Sequence, residues 1–268
     1  MIQLSTLNQT VSQAETIALT AIIDTALCVG AGGSSGSLAD KPILKTADGH
    51  LVIPASQLKG RLRHECEKLT RALGWPTCVS PVAQTMCPQR VGLPEADFRI
   101  APYRVPPLRP EEIEAQVSND SYRHHCLICQ LFGNPALPAR LQFRDLVCTT
   151  PPEDIPEVLR PGVTLNRRRR TAEDRKLYFL ETSPANTALE FTGGIDLAPD
   201  IPTFAKALIL AGLKHIHALG GSKSSGLGWL RWQSSAFEQP DIDDTVWTFL
   251  ANSPAATQSP QEESHAAS

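Results

Sequence analysis

Hydrophobic and polar positions along this chain switch between two periods. Residues 16–29 alternate imperfectly and are rich in β-branched side chains, which predicts a first strand. From Val29 to Asp40, Gly and Ser dominate, and the segment reads as a flexible loop. Ile43 and Leu44, then Leu51 to Ile53, bracket the turn Ala47-Asp48-Gly49 as a short hairpin. The period then becomes helical. Ser56 is a capping residue type and Gly74 a stop, and Leu58, Leu62, Cys66, Leu69 and Leu73 form one stripe for burial. Lys59, Arg61, Arg63, Lys68 and Arg71 occupy the other face, which suits either solvent or phosphate.

Residues 75–125 are proline-rich and aperiodic, so they read as an insertion that needs something to hold it. Residues 141–149 and 188–197 read as strands, with the basic excursion GVTLNRRRRTAEDRKLYF between them. A second helix is predicted over about Thr203 to Leu219, with Phe204, Leu208, Ile209, Leu213, Ile216 and Leu219 on one side. It ends in a glycine loop that feeds a short strand. The order strand, helix, strands, strand, helix, strand predicts an α+β fold of ferredoxin-like topology with large insertions. It occupies one domain over residues 1–237. Residues 238–268 read as an acidic, largely disordered tail in which hydrophobic clusters thin out.

Charge refines this picture. The net charge is −3, yet from Glu238 onward there are six acidic residues and no Lys or Arg. The rest of the chain has 25 basic against 22 acidic residues, so a mildly basic body carries an acidic tail. No stretch reaches the roughly 18 apolar residues of a membrane span, and the N-terminus lacks the pattern of a secretory signal. A cytoplasmic protein without a membrane partner is expected, with its seven cysteines as thiols or metal ligands.

Four sets of residues carry candidate chemistry. Cys126 and Cys129 have the two-residue spacing that lets both thiolates reach one tetrahedral metal, and Cys78 and Cys87 lie at the other end of the same insertion. A shared structural zinc would staple that segment, with His64, His124 or His125 as substitute ligands; the alternative is four buried thiols. Cys28, Cys66 and Cys148 fall in core patterns instead. The first glycine loop, with Gly32, Gly33 and Ser34, suits close approach of a polyanion, and Asp40 closes it as either a turn residue or a functional carboxylate. The second, Gly220 to Gly228, has Gly221, Ser222, Lys223 and Ser224 as possible phosphate ligands or as a plain flexible turn. Arg167 to Arg170 form a basic run that would grip phosphates without reading bases, or simply an exposed charged turn. Aromatic residues are only 6% of the chain, which argues against base stacking as the main grip.

Together these pieces resemble the RAMP superfamily. DKPILKTADGHLVIPASQLKGRLRHECEKL is similar to the family stretch D-x-P … G-x-x-x-IP-x-S-x-LKG-x-LR, as found in backbone subunits of type III CRISPR complexes. CLICQLFG resembles C-x-x-C-x-LFG, GVTLNRRRRTAEDRKLYFLETSP resembles the thumb region, and GGSKSSGLGW resembles the terminal glycine-rich loop. Two positions depart from the pattern: Ala55 replaces a usual glycine and Asn166 a usual aspartate.

The resemblance implies an RRM-like palm, a zinc-stapled insertion at about 75–130, and a basic β-hairpin thumb at about 162–180. It implies an antiviral ribonucleoprotein whose partners are guide RNA, complementary target RNA, other CRISPR effector subunits and copies of itself. Asp40 maps onto the carboxylate required for endonuclease cleavage with Mg2+ or another divalent ion. Ser56, Lys59, Arg63, Asn166, the arginine run and the second glycine loop would contact RNA. A scaffold that cuts nothing, or a guide-processing ribonuclease using His215 or His217, are the alternative readings.

Overall fold

The computed structural model describes residues 15–30, 39–82, 84–87, 125–135, 137–199, 201–238 and 242–252. They divide into two compact units. The first takes the described residues of Met1–Leu62, Gln142–Leu197 and Lys214–Pro240. The second takes those of Arg63–Leu141, Ala198–Leu213 and Asp241–Ser268.

Strand β1 (Glu15–Ile23) alternates as its sequence predicts, with Ile17, Leu19, Ala21 and Ile23 all at most 2% exposed. It pairs antiparallel with β7 (Leu189–Leu197), which sets Ile17 against Ile195 and Ala21 against Phe191 on the buried face. Thr16, Thr20, Thr192 and Asp196 fall on the other face by the same two-residue period. The remaining strands of this sheet are β2 (Val52–Ile53), β3 (Leu141–Phe143), β4 (Leu146–Cys148) and β8 (Leu230–Gln233). The sheet runs β2-β4-β7-β1-β8, with β3 also on β7. With helix α1 (Ala55–Ala72) after β1 and helix α3 (Thr203–Lys214) before β8, this is the mixed, ferredoxin-like order expected. The single strand expected over 141–149 is two, because the chain breaks at Arg144-Asp145.

Helix α1 does not use Ser56 as its cap. Ser56 lies within the first turn, and the Asp145 carboxylate accepts the Ala55 N–H at 2.7 Å. At the other end Gly74 adopts φ +74 just past the helix, the stop expected for it. Strands β5 (Val158–Asn166) and β6 (Thr171–Thr182) form a separate antiparallel hairpin where the basic excursion was expected.

In the second unit, a short helix α2 (Leu127–Phe132) carries Cys129. Helix α4 (Ser235–Glu238) closes the described part of the first unit's chain, and helix α5 (Asp244–Ala251) follows in the second. Helix α5 lies within the segment from residue 238 that was expected to be acidic and largely disordered. Asp243 caps it by accepting the Thr245 N–H, and its Phe249 meets Trp75 and Phe204 at ring-centroid distances of 6.1 and 5.2 Å. Trp75 also stacks on Phe204 at 5.7 Å and donates its indole N–H to the Leu250 carbonyl at 2.9 Å. Three aromatic rings and a buried indole partner outweigh the polar composition around them. Among the described residues no helix is long and apolar enough to cross a membrane.

Candidate functional site

The first unit brings together three segments far apart in sequence. Ala26 and Cys28, just before the first glycine loop, form a small buried cluster with Leu227 of the second loop, and Leu180 of β6 packs against it. Backbone bonds reinforce the junction. Gly221 N–H donates to the Cys28 carbonyl at 2.6 Å, Gly228 N–H to Ala26 at 2.8 Å, and Ser183 exchanges bonds with Leu27 through its N–H and Oγ. Gly228 is indispensable here. It sits at φ +71, and a Cβ there would overlap the Leu219 carbonyl oxygen.

Asp40 belongs to the same junction. Lys41 bridges Leu180 in parallel, so the segment after the first loop adds itself to the free edge of β6. Asp40 is exposed, and its Oδ2 accepts the Phe179 N–H at 2.7 Å. Its Oδ1 has no hydrogen-bond partner among the described residues. Glu181 secures the next step: it is 5% exposed, accepts the Ile43 N–H at 3.1 Å and pairs with Lys45 at 3.1 Å. Both contacts span more than a hundred residues, so no sequence period announces them. Trp229, 50% exposed at the end of the second loop, is another residue that sequence reasoning passed over, having weighed the aromatics only by their scarcity.

The hairpin tip carries the basic run. Arg167 to Arg170 are exposed in the turn, with Arg169 held 3.6 Å from Glu173. Asn166 builds this turn. Its Oδ1 accepts the N–H groups of Arg168 and Arg169 at 3.1 and 3.0 Å, and its Nδ2 donates to Glu173 at 2.6 Å. An aspartate could do the first but not the second, which accounts for asparagine at this position. Below the tip, Leu159, Val163, Leu165, Leu177 and Phe179 are 36–63% exposed. Register places Val163 opposite Leu177 and Pro161 opposite Phe179 on one face, giving an apolar ladder.

In the second loop Gly221 is exposed along with Ser222, Lys223 and Ser224. Ser222 adopts φ +53, and Lys223 Nζ donates to the Gly220 carbonyl at 3.1 Å, so the lysine folds over its own loop. Ser56 is exposed and Lys59 half-buried on α1. Gly32, Gly33 and Ser34 lie outside the described residues, as do residues 88–124 of the insertion.

The second unit holds a cysteine centre. The ligand atoms of Cys78, Cys87, Cys126 and Cys129 all lie within 4.8 Å of one another, and all four residues are buried. Cys78 and Cys129 sulfurs are 3.5 Å apart and those of Cys126 and Cys78 3.6 Å. Disulfide sulfurs would be about 2.05 Å apart, whereas four thiolates about 2.3 Å from a tetrahedral zinc lie roughly 3.8 Å from each other. The set therefore fits zinc in donor type and in spacing. Hydrogen bonds from Cys126, Cys78 and Cys87 hold the Cys129 thiol well below its ordinary range. Those to Cys129, Cys78 and Cys87, together with burial, push Cys126 up. Four thiolates need a cation to coexist here. Neither exposed His64 nor buried His125 joins the group, and His124 lies outside the described residues.

Arg63 was expected on RNA. Its guanidinium is engaged elsewhere, donating to the Cys129 sulfur at 3.7 Å, the Gly133 carbonyl at 2.9 Å and Glu67 at 3.0 Å. Among the described residues the four cysteines are the one group of three or more His, Cys, Asp or Glu that could hold a metal, and Asp40 belongs to no such group.

A match to the RAMP superfamily covers residues 20–231, and the chain belongs to that family. No curated protein matches the chain. Membership in the RAMP superfamily suggests a CRISPR-associated, RNA-binding subunit.

Proposed function

We propose that this chain is a guide-RNA-binding backbone subunit of a type III CRISPR ribonucleoprotein that cleaves complementary target RNA. The observation that carries the reading is the junction of the first unit. One buried cluster anchors the edge of the first glycine loop, the second glycine loop and the base of the basic hairpin, with Asp40 hydrogen-bonded to that base. Polyanion-compatible loops and a carboxylate are thereby held within one small frame.

The hairpin supplies two kinds of grip. Its arginine tip attracts phosphates whatever the base sequence, and its exposed apolar ladder suits a wedge against stacked bases. The second loop adds Lys223 and exposed backbone near Ser222 and Ser224. Lys59 and Ser56 on α1 extend the phosphate-binding set, and the four cysteines hold a structural zinc.

Asp40 Oδ1 is the atom left for chemistry. Oriented on a ribose 2′-hydroxyl, it accepts that proton as the 2′-oxygen attacks the adjacent phosphorus. The bond to the 5′-oxygen breaks and that oxygen takes a proton from solvent, leaving a 2′,3′-cyclic phosphate and a 5′-hydroxyl, while Asp40 returns its own proton to solvent. One carboxylate supplies little acid–base power, so positioning by the hairpin provides most of the rate and turnover is slow.

A non-catalytic scaffold is the second reading, favoured by the Asp40–Phe179 bond, which gives Asp40 a structural task. A complex reconstituted with guide RNA and labelled complementary RNA, in magnesium and in chelator, separates the two. Asp40→Ala loses the hydrogen bond, worth about 1 kcal/mol; Asp40→Asn keeps an acceptor and loses only the charge. The catalytic reading expects both variants to bind RNA and neither to cut. Full cutting by Asp40→Asn leaves the scaffold reading standing.

A further inference from the structure

A zinc ion bound by four thiolates carries a net charge of −2. Here that charge would sit among residues that are each at most 1% exposed. Burying it uncompensated is costly, and groups beyond the ligands ordinarily take up the difference. We propose that Arg63 is the counter-charge and positioning residue of this centre and not an RNA contact. The inference rests on the reading of the cysteine cluster as a metal site.

Three features of Arg63 converge on this role. One guanidinium nitrogen donates to the Cys129 sulfur at 3.7 Å, which places positive charge directly on a ligand. A second donates at 2.9 Å to the carbonyl of Gly133, the residue that caps the helix carrying Cys129. The Gly133 N–H in turn donates to the Cys129 carbonyl at 3.0 Å. Arg63 therefore fixes both the ligand and the helix end that aims it. The third donor, Nε, is held by Glu67 at 3.0 Å, and Glu67 is 7% exposed and itself 3.5 Å from Arg71.

Only a planar fork with several fixed donors reaches sulfur, carbonyl and carboxylate together. A lysine ammonium would keep the charge and lose the geometry. Of the neighbouring cations of α1, Lys68 pairs with Glu65 at 2.8 Å, and Arg71 shares Glu67 and donates to the Cys78 carbonyl at 3.4 Å rather than to a sulfur.

The test uses the full chain as wild type, Arg63→Met, Arg63→Lys and Cys129→Ser. Zinc affinity is measured by chelator competition, and the cobalt-substituted centre by its thiolate-to-metal charge-transfer bands. Arg63→Met is expected to weaken zinc binding about 10- to 100-fold and to shift those bands, with Arg63→Lys intermediate. The slope of log RNA affinity against log salt is expected to stay at the wild-type value. Equal zinc affinity in Arg63→Met, or a slope reduced by about one, overturns the proposal. If Arg63→Met does not fold, Arg63→Lys decides by zinc affinity and band position, and wild-type values for both overturn the proposal. Wild type that takes up no metal sinks the metal reading itself, a failure distinct from that of Arg63.

Discussion

Removing charge from the hairpin tip gives the sharpest quantitative expectation. The perturbation is Arg167→Gln, Arg168→Gln and Arg170→Gln together, leaving Arg169, whose charge Glu173 partly cancels at 3.6 Å. The three side chains are exposed, so their replacement leaves the fold intact. Each phosphate deprived of its arginine lowers the slope of log affinity against log salt by about 0.7 to 0.9, so the triple variant should fall by roughly 2 to 3. Between about 50 and 200 mM salt, wild type should then weaken about 15- to 60-fold more than the variant. Fluorescence anisotropy with a labelled guide–target duplex across that range measures both slopes. Parallel lines for the two proteins would refute the assignment of the tip as a phosphate grip.

Three further expectations follow from individual residues. Asn166→Asp sets a second carboxylate against Glu173, where the amide now donates at 2.6 Å. Amide exchange at the tip should speed up about tenfold, equivalent to roughly 1.4 kcal/mol, and unchanged exchange would contradict the turn's account. Gly228→Ala forces a Cβ into the Leu219 carbonyl oxygen, whereas Gly226→Ala meets nothing within 4 Å and only pays for φ +87. The first should cost at least about 3 kcal/mol in chemical denaturation and the second about 1, with equal losses excluding the steric argument. Cys126→Ser should abolish stoichiometric zinc and, at zinc near a thousand times its Kd, forfeit about 4 kcal/mol; equal stability of both proteins with and without chelator would contradict a structural zinc.

Elements with an internal period were legible in the sequence. The alternation of Ile17, Leu19, Ala21 and Ile23, and the stripe from Leu58 to Cys66, correspond to buried faces. Cysteine spacing pointed to the second unit's centre before geometry chose among possible ligands. What stayed hidden are hydrogen bonds between distant segments: Asp145 on the first turn of α1, Asp40 on Phe179, and Arg63 on Gly133. Such bonds leave no period, because each depends on where the fold carries a partner tens of residues away. Arg63 shows the consequence. On a helical wheel it is one more cation of a basic face, and only the folded chain reveals that its donors point at sulfur and carbonyl. Helix α5 was missed for a related reason: its two aromatics look sparse in sequence, and Phe249 becomes part of a cluster only against Trp75 and Phe204.

The central claim is that this subunit lives on guide RNA. Its most direct test is to isolate the tagged chain from its native cells and sequence the RNA that remains through a high-salt wash. The account predicts short RNAs with a common repeat-derived end and variable guide sequence, together with other CRISPR effector subunits. A chain that emerges with no enriched RNA, while its hairpin and glycine loops are intact, would contradict it.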